Sequence, residues 1–94
     1  MVGYRVELTS AASRELRHVG RSQLLALRGV ILGLGDDPRP RGCRNIVGRP
    51  RRRRVRVRID GVPWRIIYEV RDDECLVVIA RVARRDGVTY RNLG

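Results

Sequence analysis

The sequence predicts an α+β fold of order β-α-α-β-β-β, with two N-terminal helices packed on one face of a mainly antiparallel four-stranded sheet. Three observations predict it. From Arg54 to Ile59 arginine alternates with valine or isoleucine, the period of a strand with one charged and one apolar face. Ahead of that strand lie two segments with helical spacing, Ala12-Leu16-Val19 and Leu24-Leu27-Ile31-Leu34. After it, the turns Asp60-Gly61-Val62-Pro63 and Asp72-Asp73-Glu74 are too short for a crossover, so consecutive strands must pair antiparallel.

In chain order, Tyr4 to Leu8 alternates as a short strand, and Thr9 or Ser10 supplies a helix N-cap. The first helix ends near Gly20. Ser22 is the cap candidate for the second, which Gly35 and Asp36-Asp37-Pro38 terminate. Leu25, Val30 and Leu32 lie off the apolar stripe of this second helix. It is therefore expected to wedge between the first helix and the sheet with a residual apolar patch. Pro38 to Pro50 is punctuated by proline and glycine densely enough to read as a loop. Three strands follow, about Arg52 to Asp60, Trp64 to Arg71 and Cys75 to Val82. The last is apolar on both faces and hence central. The tail from Arg84 to Arg91 is basic and aperiodic. Residues 1–94 form one domain, too short for two cores.

The net charge is +11, and all 21 basic residues are arginine. Such an excess on a small domain points to a polyanionic partner, nucleic acid first. Arg54, Arg56 and Arg58 share one strand face, and ten acidic residues are too few to neutralise the arginines, so much of the row is available to phosphate. Arg49 and Arg51, Arg52, Arg53 and Arg54 read as a flexible basic arm that tracks RNA. Glu69 or Asp60 are the candidate cross-strand partners for the row. Trp64 and Tyr68 read as core, and His18, on the first helix, as a surface residue. Cys75 reads as a small buried side chain and Cys43 as an exposed loop residue. Neither has metal-ligand spacing, and with a single histidine no metal or other cofactor is expected. No leader pattern precedes the first strand, and no apolar run, Cys75 to Ala80 included, can span a bilayer. A cytoplasmic protein without membrane contact is the expectation.

Four stretches in order resemble the RelE/ParE superfamily of bacterial toxins from toxin–antitoxin pairs. Leu8-Thr9 with Ala12 and Glu15-Leu16 is similar to that family's first strand and helix. Asp37 to Gly42 and then Ile46-Val47-Gly48 is similar to its helix-to-sheet connection. Arg56-Val57-Arg58-Ile59 followed by Trp64 to Val70 resembles its core hairpin, and Val82 to Asp86 with Tyr90 its C-terminal segment. The resemblance implies a microbial-ribonuclease fold and a cognate antitoxin as partner. Its RelE branch cuts messenger RNA on the ribosome, and its ParE branch inhibits DNA gyrase without cutting nucleic acid. The RelE branch is favoured here, with the gyrase inhibitor and a catalytically silent binder of nucleic acid or antitoxin as alternatives. Carried over position by position, the implied catalytic residues are Arg56, Arg58, Arg65, Arg85 and Tyr90. Arg84 can exchange with Arg85, and Arg84 and Arg91 otherwise add RNA contacts. Positions 56 and 58 are lysine in the best-known members of the family.

That departure has a chemical consequence. Metal-free RNA cleavage uses the 2′-hydroxyl as nucleophile, and the site must take its proton, stabilise phosphoryl charge and protonate the leaving oxygen. Guanidinium matches phosphate bidentately but does not release a proton near neutrality. Tyr90 is the remaining candidate base, because neighbouring cations favour phenolate, and orienting the strand by stacking, with some base character, is the favoured role.

Overall fold

The computed structural model describes residues 3–84. Strand β1 (Arg5–Leu8) leads into helices α1 (Ser10–Arg17) and α2 (Arg21–Asp36), followed by β2 (Arg44–Ile46), β3 (Arg49–Ile59), β4 (Val62–Arg71) and β5 (Leu76–Arg84). The sheet order is β1-β5-β4-β3-β2, antiparallel except where β1 runs parallel to β5. Both helices cover one face, and the α+β architecture is the expected one with one strand added.

The added strand is β2, inside the stretch expected to be a loop. Arg44 and Asn45 pair with Arg54 and Arg53, then the register shifts so that Ile46 pairs with Arg49 across a tight turn in which Gly48 has φ 79°. Pro50 falls in that irregularity, where a missing N–H costs no ladder bond. Strand β3 therefore begins at Arg49, and Arg51 to Arg54 are sheet residues rather than a flexible arm. The β3–β4 turn is also shorter than expected. Asp60 (φ 51°) and Gly61 (φ 79°) are both left-handed, as a two-residue type I′ turn requires, and Val62 and Pro63 already belong to β4.

Thr9 caps α1 by accepting the Ala12 N–H at 3.1 Å. The helix ends at Arg17, short of Gly20, and Gly20 rather than Ser22 is the N-cap of α2. Leu24 N–H already bonds to the Gly20 carbonyl, which places Ser22 inside the first turn. Leu27, Ile31 and Leu34 of α2 are buried against Val55, Trp64, Ile66, Tyr68, Val77, Ile79 and Val82 of the sheet. Cys75 is exposed, not buried: it ends the Asp72–Glu74 turn with φ 48°, and β5 starts one residue later. Gly35 closes the α2–β1 contact, where an added Cβ would lie 2.7 Å from the Tyr4 carbonyl oxygen. No helix among the described residues is long and apolar enough to cross a membrane.

Beyond Leu8 the outer edge of β5 has no strand beside it among the described residues, and α1 completes it instead. Thr9 N–H donates to Ile79 O at 3.0 Å and the Thr9 hydroxyl to Ala80 O at 2.8 Å. Glu15 then accepts from Val82 N–H at 2.8 Å and from Arg81 Nε and Nη2 at 3.0 and 2.7 Å. A register shift of β5 against β4 between Ile67 and Tyr68 lets both Ile79 and Val82 face the core.

Candidate functional site

The face of the sheet opposite α1 and α2 carries the arginine row. Val55 is buried and Val57 and Ile59 pack partly against the core, so the pleat turns Arg52, Arg54, Arg56 and Arg58 to the opposite face. The β3–β4 ladder sets Arg52 opposite Glu69, Arg54 opposite Ile67, Arg56 opposite Arg65 and Arg58 opposite Pro63. Continuing across β4, Ala83 stands beside Arg65. The central row is thus Arg56, Arg65, Ala83, with two guanidinium groups on directly opposed positions and a small residue next to them. Directly opposed side chains have Cβ atoms about 5 Å apart, a spacing at which like charges repel. Arg65 is only 3% exposed, the one buried charged residue among those described, while Arg56 and Arg58 are exposed.

Three described carboxylates, Glu69, Glu15 and Asp72, pair with arginines outside this row. Glu69 accepts from Arg71 Nε at 2.7 Å on its own strand, and Glu15 holds Arg81. Asp72 binds the Arg39 guanidinium in a fork, at 3.2 and 2.8 Å, and accepts from the Tyr4 hydroxyl at 2.7 Å. These bonds hold the Asp72 carboxyl down at about 2, Arg39 first and Tyr4 second, and the same bond raises Tyr4 above its ordinary value. Arg54 and Arg58 make no ion pair with a described carboxylate; Arg58 reaches only the Gly61 carbonyl, at 3.4 Å. Neither Glu69 nor Asp60 pairs with the row. Arg54 and Arg58 are thus open to an external anion.

The other candidates are dispersed. Arg53 faces the helical side, where its Nη1 donates to Cys43 Sγ at 3.5 Å, so Cys43 is half-buried rather than exposed. Tyr68 is core as expected. Its hydroxyl donates to Pro38 O at 2.8 Å, and burial raises its pKa. Trp64 is also core, donating to Gln23 Oε1 at 2.6 Å. His18 is exposed, with Nδ1 against Arg14 O at 2.9 Å, far from the arginine row in the fold. Arg84 stands opposite Trp64 and lines a cavity of about 300 Å³ on the helical side, with His18 and Gln23. It does not join Arg56, Arg58 and Arg65. Arg85, Tyr90 and Arg91 lie outside the described residues. No cluster of metal-ligating side chains occurs among the described residues. Sequence reading passed over the Glu15–Arg81 and Tyr4–Asp72–Arg39 contacts. Their partners are 66 and 68 residues apart, and no local pattern signals them.

An α+β domain with two helices packed on one face of a mixed sheet is the fold of the RelE/ParE toxins. Residues 6–88 match the family of the ParE toxin of the type II toxin–antitoxin system parDE, and the chain belongs to it. It is a toxin of a toxin–antitoxin system. Among solved structures it is similar to the toxin–antitoxin complex RelBE2 from Mycobacterium tuberculosis, with TM-score 0.76 and 27% identity over 89% of this chain and 100% of that one. The intact E. coli RelBE toxin–antitoxin complex matches with TM-score 0.73 and 19% identity, covering 89% and 99% of the two chains. The archaeal RelE–RelB complex from Pyrococcus horikoshii OT3 matches with TM-score 0.69 and 21% identity, covering 88% and 96%. No curated protein sequence matches at a significant level.

Proposed function

We propose that this toxin is a metal-independent endoribonuclease that cuts messenger RNA on the ribosome. The observation that carries the reading is the Arg56–Arg65 pair on the sheet face opposite α1 and α2, one side chain exposed and the other buried. Guanidiniums on opposed positions match a phosphodiester bidentately, and its binding lowers the free energy of the site. Charge growing on the phosphoryl oxygens during 2′-hydroxyl attack lowers it further, which is the differential stabilisation that catalysis requires. Arg58 extends the cationic face toward the β3–β4 turn, and Arg52 and Arg54 extend it along the strand as RNA contacts. Arg85 and Tyr90 complete the set by family resemblance, with Tyr90 as base or orienting aromatic. In this reading the ribosome supplies the alignment of the message. The partner that silences the toxin is a cognate antitoxin, as the RelB-bound relatives suggest.

A second reading is gyrase inhibition without cleavage. It is favoured by the ParE family match and by arginine at positions 56 and 58, where a guanidinium does not serve as general base. An in vitro translation reaction read by primer extension, run beside a gyrase supercoiling assay, separates the two. Ribosome-dependent cuts that disappear in Arg65→Ala and Arg85→Ala support the nuclease. Gyrase inhibition with intact message overturns it. With Tyr90→Phe, a loss of about a hundredfold or more assigns the base, and a loss of a few-fold assigns orientation.

A further inference from the structure

The outward face of α2 is unlike that of an ordinary surface helix. Leu25 and Leu32 are 63% and 61% exposed, and Ala26, Gly29 and Gly33 lie exposed beside them. A Cβ built on Gly29 or Gly33 meets nothing within 4 Å, so packing inside this chain does not require glycine at either place. Helix-interior glycine weakens a helix, yet here two sit one turn apart on the open side. The charges at the ends are also inverted. The first turn holds no acidic residue and the last no basic one; Arg21 starts the helix, Asp36 ends it and Asp37 caps it. That order opposes the helix dipole, which favours acids at the N-terminus and bases at the C-terminus.

Both oddities resolve if the face meets a second copy of itself running antiparallel. We propose that α2 is the contact of a symmetric homodimer in which the two helices cross at Gly29. With Gly29 on the twofold axis, Leu25 lies over the partner's Gly33 and Leu32 over the partner's Ala26. Every large side chain then faces a small one, and the glycines allow close approach of the backbones. At each end Arg21 comes beside the partner's Asp36 and Asp37, so each inverted charge finds its opposite. The antiparallel dipoles add to this. An acidic partner helix fits less well, since Arg28 is the one cation in the middle of the strip. The net charge of +11 opposes association of two copies, which limits the dimer to a weak one, formed where salt screens that repulsion. This contact lies on the opposite side from the arginine row and is independent of the nuclease reading.

The test is sedimentation of the full chain at about 0.3 M salt, where screening falls to a few ångströms, over a concentration series. The mass should rise toward twice that of the monomer. Leu25→Glu with Leu32→Glu should hold it at the monomer value. Arg21→Asp alone should weaken association about tenfold, and adding Asp36→Arg should restore it. With Cys43 and Cys75 replaced by serine, Gly29→Cys should form an intermolecular disulfide with its own copy. Gly33→Cys should cross-link to Leu25→Cys rather than to itself. All these positions but the half-buried Cys43 are exposed, and circular dichroism checks that the variants keep the fold. A monomer at every concentration overturns the proposal, as does a dimer indifferent to Leu25 and Leu32. Association that appears only when an acidic helical peptide is added also overturns it.

Discussion

The carboxylate of Glu15 bonds to the backbone N–H of Val82 through one oxygen, at 2.8 Å, and to the Arg81 guanidinium through the other, at 2.7 Å. One side chain of α1 thereby does the work of an edge strand where β1 has ended. Glu15→Ala leaves the Val82 N–H without its acceptor in a partly buried place, a loss of about 1–3 kcal/mol. Glu15→Gln keeps an acceptor and should cost less than the alanine. Urea unfolding midpoints of the two variants measure this, and equal midpoints would show that only the charge matters.

Stability at low pH should depend on Asp72. Its folded pKa of about 2 lies below its usual 3.8, through the bonds from Arg39 and Tyr4. A depressed carboxylate stabilises the fold fully above its unfolded pKa, and that contribution fades as pH falls through the folded value. The wild-type melting temperature should therefore drop between about pH 4 and pH 2 more steeply than that of Asp72→Asn. Parallel curves for the two proteins would reject the assignment.

Glycines of α2 should respond in opposite directions. Gly35→Ala drives a methyl into the Tyr4 carbonyl and the Val6 side chain, and should cost about 1–3 kcal/mol. Gly29→Ala and Gly33→Ala enter open space and should stabilise by about 0.5–1 kcal/mol each. Thermal unfolding of the three variants decides the sign of each.

The pleat of β3 makes a prediction about nucleic-acid binding. Arg54→Ala and Arg58→Ala, on the open face, should each lower the slope of log affinity against log salt by about 1. Arg53→Ala removes equal charge on the helical side and should leave the slope nearly unchanged. Fluorescence anisotropy with a labelled RNA in a salt series makes the comparison. Equal effects from all three would mean diffuse attraction rather than a defined face.

What could be read beforehand depended on range. The alternation through Arg54 to Ile59 defines both faces of β3, and the stripe Leu27, Ile31, Leu34 defines the buried side of α2, because each is written in neighbouring residues. The parallel pairing of β1 with β5 was not legible, since nothing in four short residues names a partner seventy positions away. Strand β2 was hidden for a different reason: glycine and proline around it signal turns correctly, but three residues fit between them. The family resemblance named Arg56 and Arg65; that the two stand opposite each other needed the hairpin register, since the turn between them was misjudged by two residues. The burial of Arg65 and the turning of Arg53 and Arg84 to the helical side needed the sheet.

The seating of β5 between β1 and β4 also governs when the toxin can exist at all. Strand β1 has to wait for β5 before it has its neighbour in the sheet, and α1 likewise waits for Arg81 and Val82. Contacts this distant in sequence form late and slowly. A nascent chain stopped before β5 leaves β1 and α1 without their sheet and β4 without its inner neighbour. During synthesis the polypeptide therefore has no complete sheet until β5 has emerged. That interval is a window in which a binding partner already present can meet the toxin as it first folds.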